Sequence, residues 1–257
     1  MITVPPTTLV QLSDIHYSGD NPLKGLNKLP AEGLQQVLKH LEENIPGDKT
    51  IILTGDLVDS PEPAFYEELA SIFKSLPHKV LTIPGNHDSL EMMEKHLFGH
   101  NIFSSFSLTT ENWLILLCDT NHPTQVEHAG RIISKDLQAL EQALMAHPNQ
   151  NALIFMHHPP VSFGAAWFKQ IILENAAEFN STIERFEQVK AIIFGHAHTE
   201  FSLLRQKKLY LGCPSTWIQF NHSLNEQLGF TAAPSAYMSY RLYRDGSLLF
   251  QTHYCWP

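Results

Sequence analysis

Cysteine is scarce in this chain, with only Cys118, Cys213 and Cys255 in 257 residues. Odd in number and widely spaced, these three make neither a disulfide framework nor a zinc-binding pattern, and they read as reduced thiols. Basic residues are also few, 17 Lys and Arg against 26 Asp and Glu, for a net charge of −9. That balance argues against a broad basic surface for nucleic-acid backbones. Small anionic substrates remain allowed, because a local cluster of metal cations reverses the field inside a site. No apolar run reaches the roughly 18 residues of a membrane span, and Met1 to Pro6 carry no positive charge ahead of an apolar stretch. A cytoplasmic protein with neither nucleic-acid nor membrane partners is expected. Nucleotide-cradling and acyl-transfer signatures are missing too. Gly47-Asp48-Lys49-Thr50 lacks the Gly-Lys pair of a P-loop, and neither Gly-x-Ser-x-Gly nor a Rossmann fingerprint occurs. Without repeats or a Gly/Pro/Ser-rich linker, residues 1–257 read as one domain.

What the chain does have is a series of short apolar, β-branched runs: Thr8 to Leu12, Thr50 to Leu53, Lys79 to Ile83, Trp113 to Leu117, Ala152 to Phe155 and Ala191 to Phe194. These read as buried strands. Helical segments lie between them. Leu34, Val37, Leu38 and Leu41 mark one helix face, and Ser134 is placed to cap another that carries Leu137, Leu140 and Leu144. The alternation implies α/β architecture. From Phe201 onward strands follow one another, with Arg244-Asp245-Gly246 as a hairpin turn. Residues 201–257 are therefore expected to be mainly β and to complete a second sheet.

Polar residues of one chemical kind sit where these strands end. Leu12 leads to Asp14 and His16, Leu53 to Gly55-Asp56, Ile83 to Gly85-Asn86-His87-Asp88, Phe155 to His157-His158, and Phe194 to Gly195-His196-Ala197-His198. Any one of these, such as Asp14 or His16, taken alone reads better as a strand-end turn or cap than as a metal ligand. Five in one order, each closing an apolar run, point to convergence beyond the carboxyl ends of the strands. Carboxylate, amide oxygen and neutral imidazole suit Mn, Fe or Zn, and the absence of a nearby thiol argues for catalytic metals. The candidate ligands are Asp14, His16, Asp56, Asn86, His157, His196 and His198. Two metals lower the pKa of a shared water and neutralise charge during in-line displacement, so the nucleophile is expected to be a metal-bridging hydroxide. His87, beside a ligand but not needed as one, is placed to protonate the leaving oxygen, with Asp88 orienting an imidazole. Gly55, Gly85 and Gly195 precede ligands, where a missing Cβ lets the backbone come close to the metals. Asp59 reads as a turn or capping residue, and Trp167 as packing.

Taken in order, Asp14-x-His16, Gly55-Asp56, Gly85-Asn86-His87-Asp88, His157-His158-x-Pro160 and Gly195-His196-x-His198 resemble the full signature of the calcineurin-like metallophosphoesterases, from about Leu9 to His198. The resemblance implies a four-layer αββα sandwich of two mixed sheets flanked by helices. It assigns Asp14, His16 and His198 to one metal, Asn86, His157 and His196 to the other, and Asp56 to the bridge. Asn86, His87, His158 and His198 are the residues expected at the substrate. Spacing is most similar to bacterial class III cyclic nucleotide phosphodiesterases. Cys118-Asp119-Thr120, Gly130-Arg131-Ile132, Trp167 to Asn175 and Pro214-Ser215-Thr216-Trp217-Ile218-Gln219-Phe220 extend that likeness. Trp217 stands where that family usually has Cys, and Lys169 where Asp is common. The implied reaction is hydrolysis of 3′,5′-cyclic AMP to 5′-AMP. Hydrolysis of another small phosphoester, or a non-catalytic scaffold on the same fold, is the alternative.

Overall fold

The computed structural model describes residues 5–19, 28–110, 112–223 and 227–256. The alternating apolar residues of each strand divide between two faces, and this division builds the layers. β1 (Thr7–Leu12), β2 (Thr50–Thr54), β3 (Lys79–Ile83) and β4 (Ile102–Phe103) run parallel in the first sheet. β5 (Ser107–Thr109), β6 (Trp113–Cys118), β7 (Asn151–Met156), β8 (Val189–Phe194), β9 (Phe201–Arg205) and β10 (Lys208–Gly212) form the second, whose order is β5-β6-β7-β8-β10-β9. Within it β6, β7, β8 and β10 are parallel.

The inward residues Leu9, Ile52, Leu81, Ile115, Leu153 and Ile193 meet between the sheets in one fully buried cluster. Truncating any of them to Ala costs about 2–5 kcal/mol. Outward residues Val10, Ile51 and Val80 pack under α1 (Pro30–Asn44) and α2 (Pro63–Lys74) through Leu34, Val37, Leu41, Leu69 and Phe73. On the opposite side Leu116, Ile154 and Ile192 pack under α4 (Ser134–Ala146) and α5 (Ala176–Glu184). The result is the expected αββα sandwich. A short α3 (Leu90–His96) starts at Ser89, whose Oγ accepts from the Met92 amide at 3.4 Å.

Two expectations change. The last strands, β11 (Ala236–Leu242) and β12 (Leu248–Tyr254), do not join the second sheet with β9 and β10. They extend the first, in the order β12-β11-β1-β2-β3-β4. β11 pairs antiparallel with the edge of β1 that β2 leaves open, and the Tyr240 hydroxyl donates to the buried Gln11 side chain at 2.6 Å. Ser134 is the first residue of α4 and Ile133 the cap position, which has no side-chain cap. The cap position thus lies one residue earlier than expected.

Candidate metal centre

β1, β2 and β3 of one sheet and β7 and β8 of the other deliver their carboxyl ends to one rim of the sandwich. The five loops interlock there. Asp14 and His16 donate their amides to the carbonyls of Gly55 and Asp56 at 3.1 and 2.9 Å, and Gly195 donates to His157 at 3.1 Å. The His196 amide reaches the Asp14 carboxylate at 3.0 Å, and the His87 amide reaches Asp56 Oδ1 at 2.9 Å. The glycines serve this interlocking. A Cβ on Gly85 would collide with the Asp56 amide and carboxylate, and one on Gly195 with the Ser13 hydroxyl.

Backbone conformation marks the same residues. Asp14, His16, Asp56, His196 and His198 have φ of 54, 48, 50, 64 and 43°. Non-glycine residues seldom adopt this left-handed region, and each costs on the order of 1–3 kcal/mol, so such a concentration identifies a functional site. Asp14 and His16 are therefore not presented side by side by an extended strand. They converge because the chain turns sharply after β1.

Carbonyl groups fix the imidazole tautomers. His157 Nδ1–H donates to the Thr54 carbonyl at 2.7 Å, His198 Nδ1–H to that of Ile218 at 3.0 Å, and His87 Nδ1–H to that of Asp59 at 2.8 Å. Each leaves Nε2 as the atom facing inward. His198 Nε2 lies 3.2 Å from His16 Nε2 and 3.3 Å from Asp14 Oδ1. His157 Nε2 lies 3.4 Å from Asp56 Oδ2 and 3.1 Å from Asn86 Oδ1. Asn86 turns its oxygen inward because its amide nitrogen donates to His128 Nδ1 at 3.1 Å. Lone pairs and carboxylate oxygens facing one another in a buried site call for cations between them. Asp14, His16 and His198, and likewise Asp14, Asp56 and His157, each offer ligand atoms within 4.8 Å of one another. Asp56 faces both His16 and His157, at 3.6 and 3.4 Å. The donor set fits divalent metals.

The same groups are strongly coupled electrostatically. Burial works against ionisation of Asp56, yet His157, His87 and His16 outweigh it and hold the carboxyl well below its ordinary range. Burial likewise opposes protonation of His157, but the Asp56 carboxylate raises it to about 9. His196 is pushed well down by burial and by His158 and His157, and its Nε2 is buried without a hydrogen-bond partner.

A cavity of about 340 Å³ opens onto His16, Asp56, Asn86, His87, His196 and His198. Its far side is apolar: Trp167, Ile171, Ile218, Phe220, Leu228 and Phe230. Trp167, read from sequence as packing, thus faces the cavity. Trp217 also lines it, with its indole N–H donating to the Lys28 carbonyl at 2.8 Å. His158, expected at the substrate, is set apart from this cavity. It is fully buried, is absent from the cavity lining, and pairs through Nδ1 with the Thr120 hydroxyl at 2.8 Å. Gly130 lies against its ring so tightly that no side chain would fit. Among the described residues, Asp88 meets backbone amides and a tyrosine in place of the expected imidazole. Its carboxylate accepts from the amides of Leu57 and Gly85 at 3.1 and 2.9 Å and from the Tyr66 hydroxyl at 3.1 Å, clamping two ligand loops together. Asp59, read as a turn residue, lies 3.3 Å from His16 Nδ1. His128, which sequence reasoning missed, stacks on His87 with ring centroids 5.6 Å apart. No spacing signal marked it, since it lies in a loop outside the five strand ends.

Residues 7–200 match the family model of the calcineurin-like phosphoesterases. A 3′,5′-cyclic-nucleotide phosphodiesterase of Nostoc sp. is 34% identical over 244 residues, 94% of this chain and 90% of the relative. The 3′,5′-cyclic adenosine monophosphate phosphodiesterase CpdA of Escherichia coli K12 is 31% identical over 249 residues, 95% and 88% of the two chains. Among solved structures, a dimetal phosphatase of Danio rerio superposes with a TM-score of 0.66 at 14% identity, covering 98% of each chain. GAP50, an anchor in the inner membrane complex of Plasmodium, gives 0.62 at 13% identity, over 98% of this chain and 89% of that one. The two structures share the fold.

Proposed function

The chain belongs to the calcineurin-like phosphoesterase family, and from that premise we propose that it hydrolyses 3′,5′-cyclic AMP to 5′-AMP at the rim cavity. The convergence of His16, His157 and His198 nitrogens with the Asp14, Asp56 and Asn86 oxygens carries this reading. The cyclic-nucleotide specificity of the Nostoc and Escherichia coli relatives supports the substrate. Asp14, His16 and His198 would hold one divalent ion, Asn86, His157 and His196 the other, with Asp56 between them. Mn, Fe or Zn suits these donors. Bound there, the ions supply a water of lowered pKa and offset charge on the phosphate oxygens.

The protein's own groups do the rest. His87 acts as an imidazolium, which burial opposes but the Asp56 and Asp59 carboxylates favour. Its Nδ1–H stays on the Asp59 carbonyl while its Nε2–H faces the cavity and passes to ribose O3′ as the P–O3′ bond breaks, leaving the ring neutral. Water contributes the oxygen that joins phosphorus. Trp167, Phe220 and Phe230 provide flat apolar surface for the base and shield the phosphate from bulk solvent. The whole chain acts as one unit in this reading. The Ser215 hydroxyl donates to the Asp14 carbonyl at 2.7 Å, and the Phe220 amide donates to that of His198 at 3.0 Å, so the C-terminal part supports the same loops. A cytoplasmic setting belongs to it as well, consistent with three free, buried cysteines.

The test is product analysis with added manganese, on 3′,5′-cyclic AMP and on bis(p-nitrophenyl) phosphate, with Asp56→Asn as control. Manganese-dependent 5′-AMP that disappears in the control is the expected result. Cleavage of the chromogenic diester alone would discard the substrate and keep the phosphoesterase.

A further inference from the structure

One histidine outside the proposed ligand set touches the ligand loops from behind. In the turn Gly195-His196-Ala197-His198, residues on both sides of Ala197 are left-handed, at φ 64 and 43°. Two such residues cost on the order of 1–3 kcal/mol each, so the surroundings must hold the turn in place. Backbone bonds do part of this. The Ala197 amide donates to Gly195 at 2.7 Å, and the Phe220 amide donates to His198 at 3.0 Å. The Ala197 carbonyl is held by a side chain, His222, whose Nε2–H donates to it at 2.8 Å. A carbonyl only accepts, so the ring proton is on Nε2.

The imidazole of His222 is itself held on several sides. It stacks on Trp167, with centroids 5.7 Å apart and planes at 16°, and meets the edge of Phe168 at 4.8 Å. Gly164, at φ 68°, lies against it so closely that a Cβ there would collide with Nδ1. His222 is not part of the cavity lining, whereas Trp167 is. It therefore connects the apolar wall to the turn that carries His196 and His198 without reaching the substrate space.

We infer that His222 is a positioning residue of the metal centre: its N–H on the Ala197 carbonyl keeps His196 and His198 in their ligating orientation, and its stacking ties that turn to Trp167. The inference rests on the reading of His196 and His198 as ligands. A histidine kept only for packing would be replaced without loss by phenylalanine, and the test uses that difference.

Apoprotein prepared with chelator is titrated with manganese and its bound metal measured by equilibrium dialysis. His222→Phe keeps a ring and removes the donor, and should weaken manganese binding by about 10–100-fold, the usual effect of losing an outer hydrogen-bond partner. His222→Gln keeps an amide donor and should recover most of that loss. Gly164→Ala pushes on the ring from an exposed position and should weaken binding in the same direction, which keeps the question open to decision if His222→Phe does not fold. Wild-type affinity in the Phe and Ala variants, or equal loss in Phe and Gln, overturns the inference. A wild-type protein that holds no manganese would overturn the ligand assignment and this inference with it. Failure to hydrolyse cyclic AMP would leave both standing.

Discussion

The cavity's two walls are built by different physics. On one, His16, Asp56, His196 and His198 sit in left-handed turns backed by the buried Asp14, and carbonyls of Thr54, Ile218 and Asp59 dictate which nitrogen of each neighbouring imidazole faces inward. On the other, Trp167, Ile171, Phe220 and Phe230 come from irregular segments after β7 and β10, held largely by ring packing such as Trp167 on Phe220 at 5.6 Å. Hydrogen bonds to backbone are directional and leave the polar wall one arrangement. Apolar contact is non-directional and tolerates changes of side chain. On the proposed reading, the polar wall sets the chemistry and the apolar wall sets which ester enters.

Breaking the polar wall at its centre should have the largest effect. Asp56→Asn places a neutral amide between two cations, and manganese content at both sites should fall with activity, by more than the roughly 10²–10⁴-fold that a single proton donor contributes. Full metal occupancy by elemental analysis would contradict Asp56 as the bridge. Next comes His87→Ala, expected to cut turnover by about 10²–10⁴-fold while manganese content stays near wild type. Parallel loss of metal would remove its assignment as proton donor.

The apolar wall should respond differently. Trp167→Ala is expected to raise KM for cyclic AMP about tenfold, in line with a stacking contribution of about 1–3 kcal/mol per base, and to leave kcat nearly unchanged. A fall in kcat with constant KM would mean that Trp167 acts on the polar wall instead.

The smallest effect lies outside the cavity lining, in β12. Burial, with His40 and Arg241 nearby, lowers His253 from 6.5 to about 4. The unfolded chain thus binds more protons than the folded one between these values. Stability from the neutral ring is present above pH 6.5 and is lost as pH falls toward 4. The drop in Tm from pH 7 to pH 5 should be smaller in His253→Gln, and identical drops would exclude this residue as a source.

Much of the polar wall was legible because strand periodicity is local. An apolar run that ends in Asp, Asn or His announces both a strand and what stands at its tip, as Leu153 to His157 does. His158 was legible as a residue but not in its direction, since Thr120 and Gly130 decide where its ring goes. β4 and β5, of two and three residues, are too short to show a period of two. His222 carried no signal at all. It follows no apolar run, and its partners are Ala197, 25 residues earlier, and the rings of Trp167 and Phe168.

The order and chemical type of the polar residues at the strand ends, the buried strands, and the family to which they belong were determined by the sequence itself, because hydrophobic periodicity and donor identity are properties of neighbouring residues. Tertiary structure alone decided that β11 and β12 pair with β1, that Asp88 binds backbone amides, and that His158 is withdrawn from the cavity. It also decided which imidazole nitrogens face inward. The carbonyl that orients His157 belongs to Thr54, 103 residues away, and a hydrogen bond across that separation exists only once the two sheets have met.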